Sequence, residues 1–331
     1  MENLSKRPEL EQSEIIERLP RACSDEAAAV EFIESMRWGD TPSCVHCGST
    51  NVYKMTDAKT GGRNKRFLWR CHDCKEQYTV RIGAVYEETR LPLRYWCYCF
   101  WRISTSKKGV AAMEVMRQCQ ISYKSALFLL HRVRWALRPD PKTAPKLIGI
   151  VEADETFVGG KPRKPVPRTK WSNKTPVAGV VERGEGGQIR RRVVADVTGK
   201  NIKQAIRECV DPSATIHSDE SGAYTGIGID FKGGHYTVNH SKLEYSRNGV
   251  HVNTMESSHA LIKRAIMGIW HNVSKKHLHR YISECDFRWN HRTINDGERV
   301  KAAIQAADGK RLMYHEPVRP DHPKTTQYLL D

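Results

Sequence analysis

The pattern of hydrophobic and polar positions changes near residue 146, from helical spacing before it to strand patterns after it. Residues 24–40 predict a helix, with Ser24 as a candidate N-cap and Gly39 past the helix end. Residues 91–138 predict an aromatic-rich amphipathic helix, followed by helix, short turn and helix. In the last of these Ser122 fits an N-cap, and apolar residues recur at helical spacing at Ala126, Leu129, Leu130, Val133 and Leu137.

The second half of the chain reads as an α/β unit that begins after a proline-rich linker at residues 138–145. KLIGIVEADE, TPVAGVVERG and QIRRRVVADVTG predict three strands, and NIKQAIRECV predicts a helix. ATIHSDE and HYTVNH predict a fourth and a fifth strand, and NTMESSHALIKRAIMGIW predicts a helix. We assign these segments to a ribonuclease H-like fold, whose order is three strands, helix, strand, helix, strand and helix. The predicted fold class is therefore α/β multidomain.

Length and charge limit what the chain can do. A chain of 331 residues is long enough for two or three domains. The formal net charge of +16 indicates a polyanionic partner, because basic side chains that neutralise phosphates release counterions. No apolar run approaches the roughly 20 residues of a membrane span, and the charged N-terminus has no signal-peptide pattern. We expect a cytoplasmic nucleic-acid-binding protein without a membrane partner.

Four of the ten cysteines form two CxxC pairs, Cys44–Cys47 and Cys71–Cys74. Four thiolates at this spacing predict one tetrahedral structural Zn²⁺, which lets a short β-rich module fold with little core. The intervening segments NVYKMTD and RFLWRC, and QYTV after the second pair, predict the strands of a zinc ribbon. The remaining cysteines are scattered and are expected in the core rather than at a metal.

The helix, turn and helix before the linker have the layout of a helix-turn-helix. Any helical hairpin in a basic protein looks similar, so DNA contact and plain packing stay open on this pattern alone. Five side chains of the second helix are candidates for DNA contact: Tyr123, Lys124, His131, Arg132 and Arg134.

An apolar run at residues 148–151 leads directly into three carboxylates, Glu152, Asp154 and Glu155. Ordinary buried strands seldom end in this way. In a ribonuclease H-like fold a carboxylate on the first strand faces one beyond the fourth strand, and a late helix brings a third. The matching residues here are Asp154, Asp219 and Glu256. Two Mg²⁺ or Mn²⁺ ions held by such carboxylates would stabilise the entering and leaving oxygens of a phosphodiester reaction.

The late helix carries a second signal. Glu256 and Lys263 are seven residues apart and therefore project from one face, whereas the apolar residues Met255, Ile262, Ile266 and Ile269 lie on another. A carboxylate for metal beside a lysine for phosphate is a functional pairing, although a solvated charged edge would give the same pattern.

The quoted motifs together resemble a DDE-type transposase of a bacterial insertion sequence, from the family with an N-terminal zinc ribbon and a D-D-E-K catalytic domain. The matching stretches are the two cysteine pairs, EADETFVGGK, IHSDESGAY, VNTMESSHALIKR and WHNVSKKHLHRYISECDFRWNHR. The resemblance implies that Asp154, Asp219 and Glu256 bind the catalytic metal and that Lys263 contacts DNA.

Four other carboxylates compete with this assignment: Glu152, Glu155, Asp196 and Glu220. Asp196 fits a turn-initiating role. Glu155 and Glu220 directly follow proposed ligands and would point to the opposite face if they are strand-like, whereas Glu152 shares the face of Asp154. Residues 159–174 predict a mobile basic loop for DNA contact or, alternatively, a solvated one; its basic residues are Lys161, Arg163, Lys164, Arg168 and Lys170.

The resulting hypothesis is a transposase that binds the terminal repeats of its element as double-stranded DNA, cleaves at the ends and joins the 3′-hydroxyl to target DNA. It would act as a homodimer or a larger synaptic complex. The alternatives are a DNA-binding regulator with an inactive C-terminal domain, and a ribonuclease H-like nuclease without strand joining. The predicted parts are an N-terminal helical segment, a zinc ribbon, a helix-turn-helix region, a catalytic domain and a tail, at residues 1–40, 41–90, 91–138, 146–305 and 306–331.

Overall fold

The computed structural model describes residues 14–140, 143–160, 174–242, 244 and 246–312. Within these ranges the chain forms two sheets and nine α-helices. The strands are β1 (Val52–Lys54), β2 (Trp69–Cys71), β3 (Gln77–Tyr78), β4 (Ile150–Val158), β5 (Thr175–Glu182), β6 (Ile189–Val193), β7 (Thr215–Ser218) and β8 (His235–Thr237). The helices are α1 (Glu14–Ser24), α2 (Glu26–Trp38), α3 (Leu93–Thr105), α4 (Ala112–Cys119), α5 (Tyr123–Ala136), α6 (Gly199–Cys209), α7 (Asn253–Ala265), α8 (Leu278–Asn290) and α9 (Asp296–Gln305).

The first sheet is a small antiparallel ribbon in the order β1-β2-β3. Its strands lie where the cysteine-flanked segments predict them. Trp69 and Tyr78 are buried between the strands and Trp38 at the end of α2, with ring centroids 5.5 Å and 6.0 Å from that of Trp38. The ribbon is therefore supported by a few aromatic side chains, in addition to whatever its four cysteines bind.

The helices before the linker share one hydrophobic core, which contains residues of α1, α2, α3, α4, α5 and α9. The five apolar positions predicted for α5 are all buried, at 0–3% exposure. Ser122 caps α5 as predicted, since its hydroxyl accepts from the Ser125 backbone N–H at 3.1 Å. Asp25, rather than Ser24, caps α2, and its carboxylate accepts from the Ala28 N–H at 2.7 Å.

The second sheet has five strands in the order β6-β5-β4-β7-β8. The β4–β5 and β5–β6 pairs are antiparallel, and the β4–β7 and β7–β8 pairs are parallel. Strand β4, the first of this unit, therefore lies at the centre of the sheet, beside β7, which is the fourth. The mixed α/β fold class is confirmed.

The two faces of the second sheet pack against different helices. Val151 and Ala153 of β4 join the core under α6. Val158 of the same strand joins the core formed with α7 and α8. Alternation along β4 consequently turns Glu152, Asp154 and Thr156 toward the α7 side. This face carries the candidate site.

Three elements differ from the prediction. Two short 3₁₀ turns, Gly222–Tyr224 and Ile227–Asp230, stand between β7 and β8 in place of a helix. The late helix is α-helical only to Ala265 and continues as a π-helical turn over Ile266–Trp270. Helix α9 lies in the range predicted as catalytic domain, yet its Val300, Ala303 and Ile304 complete the core of the N-terminal helices.

No helix in the described ranges combines the length and the apolar character that crossing a membrane would need.

Candidate functional site

The four predicted zinc ligands come together at one end of the ribbon. The Sγ atoms of Cys44 and Cys74 are 3.6 Å apart, and those of Cys47 and Cys71 are 3.7 Å apart. Four sulfurs at about 2.3 Å from one tetrahedral zinc would be separated by roughly 3.8 Å. Backbone N–H groups point at two of these sulfurs, from His46 to Cys44 at 3.4 Å and from Asp73 to Cys71 at 3.4 Å. The geometry supports the predicted zinc ion.

Three different elements carry the proposed catalytic carboxylates. Asp154 lies in the middle of β4, Asp219 directly follows β7, and Glu256 lies in the first turn of α7. Because β4 and β7 are neighbouring parallel strands and α7 packs against β4 and β5, the topology brings these three elements to the same part of the sheet. The Asp219 carboxylate accepts from the Ser221 N–H at 3.1 Å, which fixes the turn after β7.

The electrostatics of Asp154 show that negative charge accumulates at this place. Burial, followed by repulsion from Glu155, Asp219 and Glu256, raises the pKa of Asp154 to about 7. The Glu155 N–H donates to Asp154 Oδ1 at 2.8 Å, and this hydrogen bond offsets part of the rise in pKa. A divalent cation would relieve the repulsion among these carboxylates, so the residues fit the predicted metal.

The carboxylates of the triad are spread more widely than the ligands of a single ion. Among the described residues, the four cysteines are the one group of three or more His, Cys, Asp or Glu whose ligand atoms all lie within 4.8 Å of one another. Two ions that are about 3.5–4 Å apart need ligands on both sides. The triad is therefore not assembled as a compact one-ion site.

His259 is a neighbour of Asp154 that the sequence reasoning missed. It follows Glu256 by three residues on α7, is 3% exposed, and places its Nε2 3.6 Å from Asp154 Oδ2. Neither ring nitrogen makes a hydrogen bond. Burial, with help from Arg191, lowers the pKa of His259 to about 3, so it is a neutral imidazole beside the carboxylate. The i, i+3 spacing from Glu256 was a signal that could have identified it.

A glycine allows α7 to approach the sheet this closely. Gly179 of β5 is paired with Asp154 across the antiparallel ladder. A Cβ at residue 179 would lie 2.1 Å from Met255 Cε and 3.2 Å from His259 Cε1. A Cβ at this position would therefore require the Met255 side chain to move and would crowd the His259 ring.

Glu152, the rival carboxylate on the same face, is already engaged within the protein. It is fully buried, and its oxygens accept from Arg183 Nε at 2.7 Å, Thr254 Oγ1 at 3.0 Å and the Met255 N–H at 3.0 Å. These donors leave Glu152 little capacity for a metal ion.

The other three rivals also have protein partners. Glu155 accepts from the Tyr224 hydroxyl at 2.6 Å on the α6 side of the sheet. Glu220 accepts from the Ser241 N–H at 2.9 Å. Asp196 accepts from the Thr198 N–H at 3.0 Å, in the turn-initiating role predicted for it. Glu155 remains close enough to raise the pKa of Asp154, so it contributes to the charge of the site without sharing its face.

Helix α7 presents two faces of different character, as predicted. Glu256 and Lys263 are exposed, while Met255 and Ile262 are buried against the sheet and α8. Both charged side chains are therefore exposed to solvent.

The structure corrects three of the predicted DNA contacts on α5. His131, Arg132 and Arg134 are 7%, 4% and 1% exposed. The His131 ring packs 4.7 Å from that of His277, and Arg132 Nη2 donates to the Glu87 carbonyl at 2.8 Å. Tyr123 and Lys124, at the start of the helix, are exposed and stay available to DNA.

Arg134 belongs to a buried network that joins α5 to α8. Its Nε donates to Glu284 Oε2 at 2.6 Å, and Arg288 Nη1 donates to the other oxygen of Glu284 at 2.5 Å. The Arg134 guanidinium also lies 4.0 Å from the centre of the Tyr281 ring. Burial here is possible because the charge is paired, and the partner lies 150 residues along the chain.

The five basic residues predicted for DNA contact between residues 161 and 170 lie outside the described residues.

Comparison with known proteins gives one match for the region of the ribbon and another for the region of the second sheet. Residues 24–77 match the model of a transposase zinc-ribbon domain, and residues 146–290 match that of the ISXO2-like transposase domain. An uncharacterized protein in transposable element ISH50 of Halobacterium salinarum is 27% identical over 282 residues, which cover 80% of this chain and 90% of that relative. The ISXO2-like match begins directly after the linker and ends with α8, so it leaves α9 outside.

Proposed function

We propose, on the premise that the chain matches a transposase zinc-ribbon domain and an ISXO2-like transposase domain, that it cuts DNA at the ends of its element and joins the freed 3′-hydroxyl to target DNA. The observation that supports this most is the concentration of carboxylates around Asp154. Burial and three neighbouring carboxylates disfavour ionisation of Asp154, and such perturbed carboxyl groups are typical of functional sites.

Asp154, Asp219 and Glu256 would hold two Mg²⁺ or Mn²⁺ ions. When bound, these ions stabilise charge on the attacking and leaving oxygens of the phosphodiester. Lys263 is exposed on the face of Glu256 and would position a DNA phosphate by charge and hydrogen bonding. The packing of α7 over Gly179 would keep Glu256 in register with Asp154.

Recognition of the terminal repeats would fall to the zinc ribbon and the helix-turn-helix, with Tyr123 and Lys124 at the exposed start of α5. The basic segment at residues 161–170 would contact phosphates near the cleavage site. Because two element ends must be joined to one target, we propose that the protein acts as a dimer or a larger complex on DNA. It would do so in the cytoplasm.

The experiment is a cleavage and joining assay on a supercoiled donor that carries the element ends, with Mg²⁺, Mn²⁺ or Ca²⁺. Asp154→Asn, Asp219→Asn and Glu256→Gln each keep the side-chain shape and remove a charge, and each should reduce product at least 100-fold. Glu220→Gln is the matched control, because it alters the neighbour of Asp219 and should retain most activity.

The assay also separates the alternatives. A regulator would bind the repeats without cleaving in any metal, and a simple nuclease would cleave without joining. Undiminished cleavage by Asp154→Asn or Glu256→Gln would show that other carboxylates carry the reaction.

A further inference from the structure

One buried ion pair connects the strand of Asp154 to the helix of Glu256. Glu152 precedes Asp154 by two residues on the same face of β4. Its Oε2 accepts from the Met255 N–H at 3.0 Å, and Met255 is the residue directly before Glu256. Its Oε1 accepts from Thr254 Oγ1 at 3.0 Å, so one carboxylate engages the first turn of α7 twice.

Arg183 extends this connection to the segment that leads into α7. Besides its 2.7 Å bond to Glu152, it donates from Nη1 to the Gly249 carbonyl and from Nη2 to the His251 carbonyl, each at 2.6 Å. His251 Nδ1 lies 3.2 Å from Glu152 Oε1. The ion pair therefore holds residues 249–255 against the end of β5 and the start of β4.

These contacts explain how α7 begins without a cap of its own. Val252 occupies the N-cap position and has no side chain that could accept from the first turn. A carboxylate at a helix N-terminus satisfies the unpaired N–H groups and interacts favourably with the helix dipole. Here the carboxylate comes from β4, so the position of the helix start depends on that strand.

We propose that Glu152, together with Arg183, is a positioning residue that sets the distance between Asp154 and Glu256 and does not itself bind metal. The part of this inference that concerns the metal site rests on the proposed function. The part that concerns the connection between β4 and α7 describes the fold alone and is testable without metal.

The first test uses Arg183→Met in the full-length chain, with Mn²⁺ affinity measured by calorimetry and amide hydrogen exchange measured without metal. Removing a cation near a cation site should strengthen Mn²⁺ binding by electrostatics alone. Positioning predicts the opposite sign, a loss of about tenfold in affinity, with at least tenfold faster exchange of the amides of residues 253–256. Wild-type exchange together with equal or tighter Mn²⁺ binding would overturn the proposal.

The second test uses Glu152→Gln, which replaces one of the two accepting oxygens by an NH₂ group, so that either Arg183 or the Met255 N–H loses its acceptor. Glu152→Gln should accelerate hydrogen exchange of the same amides in the metal-free protein. If Glu152 were instead a direct metal ligand, the variant would alter Mn²⁺ affinity and leave this exchange unchanged. Glu182→Gln is the matched control, since Glu182 accepts from the Ile148 and Gln188 N–H groups just before β4 and β6, and among the described residues no hydrogen bond or ion pair joins it to α7.

Thr254→Val is a milder variant that removes one donor and leaves the ion pair intact, in case the others do not fold. It should accelerate exchange about threefold, and wild-type exchange in this folded variant would count against the proposal. If wild-type protein binds no Mn²⁺, the proposed metal site fails, while the exchange measurements still decide whether Glu152 holds α7.

Discussion

Replacing Arg134 by Met should destabilise the protein and leave its DNA contacts unchanged. The substitution keeps most of the apolar stem and removes the guanidinium that donates to Glu284, which is 0% exposed. Removal of one partner from a buried ion pair typically costs about 3–5 kcal/mol. Glu284 keeps its bond to Arg288, and the Val110 carbonyl, which loses Arg134 Nη2 as a donor, keeps the Trp270 indole N–H at 3.1 Å. The expected loss therefore lies at the lower end, about 3 kcal/mol.

The assay pairs urea unfolding with DNA affinity measured over a range of salt concentrations. Arg134→Met should lower the free energy of unfolding and keep the salt dependence of binding. Lys124→Met is the control, because Lys124 is exposed on the same helix. It should keep stability and lower the slope of log affinity against log salt by about 0.9, the value for one phosphate contact. An Arg134→Met protein of wild-type stability with a reduced slope would refute this reasoning.

Three further outcomes are expected. The protein should contain one zinc per chain, chelation should unfold the ribbon, and stoichiometric zinc in a Cys44→Ser, Cys71→Ser double variant, measured by atomic absorption, would exclude the four-thiolate site. Burial and neighbouring carboxylates raise the pKa of Asp154 from 3.8 to about 7. The stability that protonated Asp154 contributes is complete below pH 3.8 and is lost as the pH rises through 7. Metal-free protein should therefore lose about 4 kcal/mol over this range, and Asp154→Asn should not show this part of the loss in urea titrations at pH 4 and pH 8. Lys263→Ala should slow strand transfer while Mn²⁺ binding, measured by calorimetry, stays within about twofold; loss of Mn²⁺ binding would contradict its assignment to DNA.

The sequence was sufficient for features that depend on short stretches of chain. The Ser122 cap and the strands of the second sheet each follow from a local pattern, and the structure contains them. The assignment to a ribonuclease H-like fold rested on the succession of segments along the chain, and the order of the five strands in the sheet came from the structure. The cysteine spacing likewise predicts a cluster that the structure brings together.

The sequence was insufficient where a side chain depends on a distant partner. Arg134 looks like a DNA contact on a basic helix until Glu284 is seen beside it. Glu152 could not be distinguished from a metal ligand because its donors, Arg183 and Met255, lie 31 and 103 residues along the chain. The range predicted for the catalytic domain, residues 146–305, includes α9, whose apolar face packs on the N-terminal helices through contacts that are distant in sequence.

The central claim is that Asp154, Asp219 and Glu256 share divalent cations for phosphoryl transfer. The most direct measurement is a crystal structure of the full-length protein bound to an element end and Mn²⁺, with the ions located by anomalous diffraction. We expect two peaks about 3.5–4 Å apart, with Asp154 contacting both ions and Asp219 and Glu256 on either side. Manganese bound to Glu152 or Glu155 without Asp154, or no ion at the triad in a cleavage-competent complex, would contradict the account.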